Sequence, residues 1–388
     1  MPERVVITGL GVVSCLGTHP GRFWDNIIQG NCGISTISLF DTSRLMRHNA
    51  GEVKNFRLAD FMDCDQDLDL PRSHALALAA AYLALKDARL QECNLKEAGA
   101  VFGSLGVGME FIEGQVKSFE QYPARMLIDS VMRILGLGGF STMLSCACAS
   151  GSYALALAYE RIRRGQERII LSAGVDHLAI TTYIGFHRLF SIAPDKCRPF
   201  DKNRQGLIPS EGAAVLVVES LSSANKRKAP IYAEIIGYGQ SCDAYHPIAP
   251  SKDGYISCIR DALKHARISP IDVDYINAHG TGTIQNDTVE CGAIKRIFGE
   301  RSKRVPVSSL KSMLGHSMGA ASAIEAAACC LALKEQLIPP TINYETPDPQ
   351  CQIDCVPNKS REARLNIILK NAFGFGGINS SLIFKRWE

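Results

Sequence analysis

Short apolar segments alternate along the chain with longer segments in which apolar residues recur every three or four positions. The short segments are rich in Val and Ile and predict β-strands, whereas the longer spacing predicts amphipathic helices. The predicted strands include RVVITG, RIILSAG, GAAVLVVE, IYAEIIGYG, LNIILKNAF and SSLIFK. The predicted helices include GRFWDNIIQ, HALALAAAYLALKDARL and GYISCIRDALKHA. Strands that alternate with helices at this spacing predict a layered α/β fold.

Two successions of strand, turn and helix occur twice, once in each half of the chain. The strand STMLS leads through a short turn into CASGSYALALAYERI, and VPVSS leads likewise into HSMGAASAIEAAACCLAL. Small residues crowd the first turns of both helices. The segments AGAVFGSLGVG and DYINAHGTGT each run from a strand into a Gly-rich turn. We therefore predict two related halves, residues 1–220 and 221–388, that meet near the polar segment ESLSSANKRKAP.

Composition and charge exclude several classes of function. The 388 residues include 42 Lys and Arg and 39 Asp and Glu, which gives a formal net charge of +3. This balance argues against nucleic acid or a membrane surface as a partner. The longest apolar runs are too short to span a bilayer, so we expect no transmembrane helix. Fourteen cysteines scattered along a chain without a recognisable leader predict reduced thiols and a cytoplasmic location.

Two cysteines stand close together in SCACASG, where a predicted strand turns into a helix. Cys146 continues the strand, whereas Cys148 falls at the turn, where Ala, Ser and Gly let the backbone bend sharply. A thiol at a helix start is exposed to the positive end of the helix dipole, which favours the nucleophilic thiolate. The alternative is that both are small buried residues, and the pair alone leaves the two interpretations about even. No second cysteine pair stands at zinc-finger spacing, so we expect no metal site.

The second half of the chain contains the groups that a nucleophilic cysteine needs. His279 lies in a Gly-rich turn at the end of a predicted strand, in NAHGTGT. Lys311, His316 and Glu325 lie around the second helix that begins with small residues, in LKSMLGHSMGAASAIEA. Most histidines are ordinary surface or core residues, but two at strand-end turns indicate a site. Near the C-terminus, NAFGFGGINSS predicts a flexible aromatic loop over a pocket, or alternatively a hairpin turn with core aromatics.

These motifs, in this order and spacing, resemble those of the β-ketoacyl-acyl carrier protein synthases. The resemblance rests on CACASG, NAHGTGT, KSMLGHSMGAASAIE and NAFGFGGIN, with VVITGLGVVSCLG at the start and CRPFDKNRQG in the middle. It covers nearly the whole chain and is strongest to the elongating type II enzymes of fatty-acid synthesis and their polyketide relatives. It implies the thiolase-like fold, a five-layer α-β-α-β-α sandwich built from two repeated halves. It also implies a homodimer, with a heterodimer as the alternative.

The resemblance implies a decarboxylative Claisen condensation without a cofactor. Cys148 matches the nucleophile that accepts an acyl chain from a carrier thioester, and Cys146 is then structural. His279 and His316 match the pair that binds the malonyl thioester carbonyl and stabilises the enolate as CO2 leaves. Lys311 and Glu325 match a buried charged pair that orients the histidines.

The resemblance also implies which residues bind the rest of the substrate. Thr281 and Thr283 match hydroxyls that hydrogen-bond the pantetheine amides. The N–H groups of Cys148 and Phe375 would form an oxyanion hole, and Phe375 would act as a gate between the two half-reactions. The neighbouring loop residues Phe373, Gly374 and Gly376 complete this part of the binding site. Gly106 falls where many of these enzymes have a larger gate residue, so a longer or bulkier acyl chain is expected to fit.

The expected partner is an acyl carrier protein, loaded with acyl or malonyl groups, and the sequence departs from its relatives where such carriers dock. Five Asp lie between Asp60 and Asp69, at a place where the elongating enzymes are usually basic. They would repel an acidic carrier, which favours a dedicated, less acidic carrier. The alternatives are that docking shifts to Arg125, Arg198 or another site, that a partner subunit covers the segment, or that the segment is simply a solvated loop. The stretch between Phe119 and Ser145 is also shorter than usual.

Two other functions remain open at this point. The first is a non-elongating partner subunit that is active only in a heteromer; such subunits usually lack the cysteine, and Cys148 is present. The second is a thiolase, which would need a second reactive cysteine in the C-terminal Gly-rich loop. This chain has Phe373 and Phe375 there.

Overall fold

A computed structural model of the chain describes residues 2–62, 70–91, 93–106, 108–114 and 125–388. Its strands are β1 (Val5–Ser14), β2 (Ser35–Thr36), β3 (Asn49–Ala50), β4 (Gly99–Gly103), β5 (Ser141–Leu144), β6 (Ile169–Asp176), β7 (Gly212–Ser220), β8 (Ala233–Cys242), β9 (Tyr275–Asn277), β10 (Val307–Ser308), β11 (Leu337–Ile338), β12 (Arg361–Glu362), β13 (Ile367–Phe373) and β14 (Ile378–Arg386). Its α-helices are α1 (Pro20–Ile28), α2 (Arg72–Asp87), α3 (Met109–Ile112), α4 (Met126–Leu135), α5 (Ser150–Arg163), α6 (Ile180–Arg188), α7 (Leu221–Lys226), α8 (Lys252–Ala266), α9 (Ile284–Phe298), α10 (Lys311–Leu314) and α11 (Met318–Glu335). Short 3-10 helices are Leu58–Asp60, Pro270–Asp272, Gly299–Lys303 and Phe375–Gly377.

The main sheet repeats one strand pattern twice. Its ten strands follow the order β10-β9-β13-β14-β8-β1-β7-β6-β4-β5. Outward from β1, the strands β7 and β6 are antiparallel to their neighbours, and β4 and β5 are parallel. Outward from β8, the strands β14, β13, β9 and β10 follow the same pattern. The repeat that the sequence predicted is confirmed, because β5 with α5 corresponds to β10 with α11, and β4 corresponds to β9.

Helices lie on both sides of each half of the sheet. The helices α5 and α11 pack against each other, and α11 contacts strands of both halves, including β6, β7, β13 and β14. The helix α2 packs on β1 and β7 and against α4, on one outer side. The helix α8 packs on β8 and β14 and against α9, on the other outer side. The result is the five-layer α-β-α-β-α arrangement, and the predicted fold class is confirmed.

Small residues allow the two central helices to approach closely. A side chain at Gly151, in the first turn of α5, would place its Cβ 2.9 Å from both the Cβ and the backbone nitrogen of Ala323 in α11. Such a distance is too short for a real carbon contact, so only glycine fits there. The hydroxyl of Ser322 also accepts a hydrogen bond from the N–H of Ser152, at 2.9 Å. The small residues Ala, Ser and Gly near the N-termini of α5 and α11 therefore allow these two helices to pack closely against each other.

The predicted strands and helices are found where the apolar patterns placed them. The segment RIILSAG falls in β6, GAAVLVVE in β7 and LNIILKNAF in β13, and these strands are largely buried. Within the described ranges, no helix is both long enough and apolar enough to cross a membrane.

Candidate active site

A strained turn positions Cys148 immediately before α5. Ala147 has a φ of +48°, in the left-handed region that residues with a Cβ adopt at a cost. The hydroxyl of Ser150 stabilises the turn, because it accepts the N–H of Cys146 at 2.9 Å and donates to the carbonyl of Ala147 at 2.6 Å. Gly374 packs against the same turn, where a Cβ would lie 3.2 Å from the nitrogen of Cys148. The C-terminal loop is therefore held directly over the cysteine.

The thiol of Cys148 is buried, and its acidity differs from the sequence-based expectation. Burial raises the pKa of Cys148 to about 11, although the charge of Lys311 and the N–H of Phe375 act in the opposite direction. The position at a helix start predicted a lowered pKa. The prediction is wrong in direction because it took account of the helix dipole and could not include the loss of solvent around the sulfur. Cys146 is half-buried, and burial raises its pKa too.

Two histidines face the thiol. The sulfur of Cys148 and one ring nitrogen each of His279 and His316 all lie within 4.8 Å of one another. The two imidazole rings meet edge to face, with centroids 5.4 Å apart. The Nδ1 of His316 accepts the N–H of Met318 at 3.1 Å, so its proton is on Nε2. His316 therefore has a free donor to offer to a bound group.

Both histidines are neutral at physiological pH. Burial lowers the pKa of His279 and His316 well below the usual value, and the positive charges of Lys311 and Lys370 lower it further. A neutral imidazole donates a hydrogen bond without carrying a charge of its own. Such a donor stabilises negative charge that develops on a neighbouring oxygen during a reaction.

Three buried charges lie behind the histidines. Lys311 forms an ion pair with Glu325, and Lys370 lies 3.2 Å from the other carboxylate oxygen of Glu325. The Nζ of Lys311 also donates to the carbonyl of His279, at 2.7 Å. All three charged side chains are nearly inaccessible to solvent. Burial lowers the pKa of Lys370, and Glu325 partly offsets this effect. The network fixes the backbone that bears His279.

Two further carboxylates hold the turn after β9. Glu290 accepts the N–H groups of His279 and Gly280, at 2.9 and 2.8 Å. Asp287 accepts the N–H groups of Gly282 and Phe200, at 3.2 and 2.8 Å. Burial raises the pKa of Glu290 to about 7. These two residues in the first half of α9 thus anchor the whole NAHGTGT turn.

A cavity of about 270 Å³ leads from the surface to Cys148. Its wall contains Cys148, His279, His316, Thr281 and Thr283. It also contains the loop after β13, including Phe373, Gly374, Phe375 and Gly376, which the sequence predicted as site residues. The hydroxyls of Thr281 and Thr283 lie 2.8 Å apart. The structure therefore brings together nearly all of the predicted site residues, with Lys311 and Glu325 just behind the histidines.

Phe375 stands at the mouth of the cavity, and 40% of its surface is exposed. Its ring packs against Phe186 of α6, with centroids 5.8 Å apart. The N–H of the next residue, Gly376, donates to the carbonyl of Pro247 at 2.7 Å, which ties the loop to the segment before α8.

Gly106 is one predicted site residue that lies apart from the cavity. It is not among the described residues of the lining. Its N–H donates to a carboxylate oxygen of Asp176 at 2.7 Å, and a Cβ there would lie 3.1 Å from that oxygen. Most of the acidic run, residues 63–69, lies outside the described ranges. The same holds for residues 119–124 in the stretch that was predicted to be shorter than usual.

The sequence did not single out four residues that shape the site. Lys370 interrupts the apolar strand β13, and a lysine in such a strand is a signal that could have been used. Tyr255 and Asn286 line the cavity, and the Tyr255 hydroxyl donates to the Asn286 amide oxygen at 3.0 Å. Glu290 gave no signal, because an acidic residue early in a helix is common.

Among the described residues, Cys148, His279 and His316 also have the spacing of metal ligands. Thiolate and imidazole are suitable ligands for zinc. Lys311 and Lys370, however, place positive charge beside both imidazoles. This charge disfavours a cation and favours an anionic group in the same space.

Comparisons with known proteins agree over the full length of the chain. Residues 2–224 match the family described as beta-ketoacyl synthase, N-terminal domain, and residues 232–345 match beta-ketoacyl synthase, C-terminal domain. The 3-oxoacyl-[acyl-carrier-protein] synthase 2 of Staphylococcus aureus (strain COL) is 38% identical over 410 residues, which cover 100% of this chain and 99% of that protein.

Two solved structures have the same fold over their entire length. The ishigamide ketosynthase/chain length factor superposes with a TM-score of 0.92 at 37% identity, and both chains are covered completely. A type II PKS acyl-carrier protein in complex with its ketosynthase bound to the hexaketide gives a TM-score of 0.90 at 33% identity, again with complete coverage.

Proposed function

The chain belongs to the β-ketoacyl synthase family, and from this premise we propose that it joins an acyl group held on Cys148 to malonyl groups delivered by an acyl carrier protein. It is an acyl-transferring condensing enzyme. The observation that carries the proposal is the placement of a cysteine and two neutral histidines within 4.8 Å of one another, at the end of one cavity.

The first half-reaction is the transfer of an acyl group to Cys148. The sulfur attacks the thioester carbonyl of the acyl carrier and loses its proton. The tetrahedral oxyanion is stabilised by the N–H of Cys148, with that of Phe375, which already points at the sulfur. The carrier thiolate then leaves and takes up a proton, and the acyl group remains as a thioester on Cys148.

The second half-reaction is the condensation. The malonyl thioester binds with its carbonyl oxygen between His279 and His316. As the bond to the carboxylate breaks, CO2 leaves, and the electron pair forms an enolate whose oxygen accepts the imidazole N–H groups. The enolate carbon attacks the acyl thioester, and Cys148 departs as a thiolate that takes up a proton from solvent. The product is a β-ketoacyl group on the carrier, and the cysteine is free again.

The remaining residues in and behind the cavity are assigned the following roles in this proposal. Lys311 and Glu325 position His279, since Lys311 donates to its carbonyl. Thr281 and Thr283 hydrogen-bond the amides of the carrier's pantetheine arm. Phe375 gates the passage between the two half-reactions. We propose that residues 1–220 contribute the nucleophile and residues 221–388 the histidines, and that the enzyme acts in the cytoplasm as a homodimer.

The test separates the two half-reactions. His316→Ala and His279→Ala should leave acyl transfer to Cys148 nearly intact, while release of CO2 from malonyl carrier falls about 10²- to 10³-fold. Acyl transfer is followed by intact-protein mass spectrometry with a panel of acyl carriers, and CO2 release with labelled malonyl carrier. Cys148→Ala is the control that abolishes the adduct. The proposal fails if no acyl adduct forms on Cys148, or if both half-reactions fall together in the histidine variants.

A further inference from the structure

Lys370 carries a buried charge close to the active site, although it does not line the cavity. It lies in the middle of β13, and all seven residues of this strand are buried. Its side chain is inaccessible to solvent. A fully buried lysine is rare, because removing an ammonium group from water is costly. Groups that are buried at such a cost are often retained because they act on a reaction.

The ion pair of Lys311 and Glu325 is balanced without Lys370. Lys311 contacts one carboxylate oxygen of Glu325, and Lys370 lies 3.2 Å from the other. Within the described ranges, neither lysine forms an ion pair with a second carboxylate. Two ammonium groups therefore share one carboxylate, and the cluster carries one excess positive charge. Stability alone would favour a neutral residue at position 370, because an uncompensated buried charge destabilises a fold.

Two helices fix the position of the excess charge. The ammonium group of Lys370 contacts Glu325 of α11 and donates to the hydroxyl of Ser152 in α5, at 3.3 Å. Ser152 lies about one helical turn after Cys148, in the helix that the nucleophile precedes. The strand β13 itself ends at Phe373, which lines the cavity. The charge is therefore held at a defined place relative to the reacting groups.

The excess charge acts on both histidines. After burial, the positive charges of Lys311 and Lys370 are the influences that lower the pKa of His279 and of His316. A field that disfavours a proton on an imidazole also attracts negative charge on an oxygen that the imidazole binds. The described lining of the cavity contains no Lys, Arg, Asp or Glu, so the field inside the cavity comes from charges behind its wall.

Asp176 is the other buried charge near the reacting groups. Four donors, one hydroxyl and three backbone N–H groups, compensate its carboxylate at 2.6 to 3.1 Å. The charges that chiefly act on the pKa of Cys148 are those of Lys311 and Asp176, whereas Lys370 acts on the imidazoles. Removal of the Lys370 charge should therefore affect the chemistry at the histidines more than the chemistry at the thiol.

We propose that the excess positive charge of Lys370, acting from behind His279 and His316, stabilises the enolate that forms as CO2 leaves the malonyl group. This inference rests on the proposed function and adds a residue to its second half-reaction. Lys370 touches neither the substrate nor the reacting atoms, so it is a positioning residue. Negative charge reaches the thioester oxygen only as the bond to the carboxylate breaks. The lysine therefore raises kcat for decarboxylation and leaves the binding of malonyl carrier nearly unchanged.

The test separates the charge of Lys370 from its contacts. Lys370→Met removes the charge and the polar contacts, Lys370→Gln removes the charge and keeps a polar group, and the control Ser152→Ala keeps the charge and removes one contact. In both Lys370 variants, kcat for CO2 release from malonyl carrier should fall about tenfold, with KM within about threefold of wild type. Acyl transfer to Cys148 should change less than about threefold. Ser152→Ala should stay within about threefold of wild type in both half-reactions.

Several results would overturn the role of the charge. They are an unchanged kcat in both Lys370 variants, an equal loss in both half-reactions, a rise in KM at constant kcat, or a loss in Lys370→Met that Lys370→Gln does not share. A loss in Ser152→Ala as large as that in Lys370→Met would assign the effect to the contact. Circular dichroism checks folding, and unfolded Lys370 variants would show that the fold itself needs the charge, which also overturns the proposal. A wild type that forms no acyl adduct and releases no CO2 would instead refute the proposed function.

Discussion

The ring of Tyr255 stacks on the ring of Phe373, with centroids 3.6 Å apart and planes inclined by 16°. Phe373 in turn meets the imidazole of His279 edge to face, at 6.1 Å. Tyr255 is buried, and its hydroxyl is held by Asn286. A tyrosine on α8 thus supports, through one intervening ring, the side chain that we place at the enolate oxygen.

Tyr255 should therefore act as a positioning residue for decarboxylation. Tyr255→Ala removes the stacked ring and lets Phe373 and His279 shift, so kcat for CO2 release should fall about 10- to 100-fold. Tyr255→Phe keeps the ring and loses only the hydrogen bond to Asn286, so kcat should stay within about threefold of wild type. Acyl transfer to Cys148 should change little in either variant. A similar loss in both variants, or a loss confined to acyl transfer, would contradict this role.

The pH dependence of the alkylation rate of Cys148 should reflect the raised pKa of its buried thiol. Because burial raises the pKa of Cys148 to about 11, the thiolate is a minor species at neutral pH. The rate of modification by iodoacetamide, measured at this residue by peptide mapping, should rise about tenfold per pH unit from about pH 7 to pH 10. A plateau below about pH 8 would indicate a lowered pKa, as the helix-start position alone predicted.

Glu290 should make decarboxylation sensitive to acid. Burial raises the pKa of this carboxyl to about 7. As pH falls below that value the carboxylate gains a proton, and its bonds to the N–H groups of His279 and Gly280 weaken. The rate of CO2 release should then decrease on acidification, with an apparent pKa near 7. Neither His279 nor His316 contributes to this titration, because burial lowers the pKa of both well below the usual value and both stay neutral.

Glu290→Gln provides the control for this pH dependence. An amide carries no charge at any pH, so the variant should show a rate that is low and flat across the range in which the wild type titrates. An unchanged pH profile in Glu290→Gln would assign the titration to another group.

Much of the fold and of the site could be predicted because the signals are local. Each signal lies within one short segment of the sequence. The signals are the strand-turn-helix repeat, the small residues after Cys148 and Ser317, and the Gly-rich turn at His279. The raised pKa of the Cys148 thiol could not be predicted, because the sulfur is buried in the folded chain, where remote segments such as the loop at Gly374 pack against its turn. Lys370 differs, because a lysine within the apolar strand β13 is a local signal that could have been used.

The support behind the histidines also comes from remote segments. Tyr255 contacts Phe373, which in turn contacts His279, and Glu290 accepts the backbone N–H of His279. Nothing in the spacing of these residues along the chain indicates the contacts. Sequence patterns therefore identify the residues that line the cavity beside Cys148 more readily than the residues that hold them in place.

Glu325 should contribute more to the stability of the fold than Lys370, because it is the carboxylate that faces both buried lysines behind the histidines. One buried carboxylate faces two buried ammonium groups, Lys311 and Lys370. Glu325→Gln leaves both cations without a negative partner and should lower the free energy of unfolding by about 3–5 kcal/mol. Lys370→Met leaves the balanced pair of Lys311 and Glu325 in an apolar strand, and should cost less than about 1.5 kcal/mol. Urea unfolding of both variants, followed by circular dichroism, measures the difference. Equal losses, or a larger loss for Lys370→Met, would show that Lys370 is required as a charge and that the carboxylate is not the centre of the network.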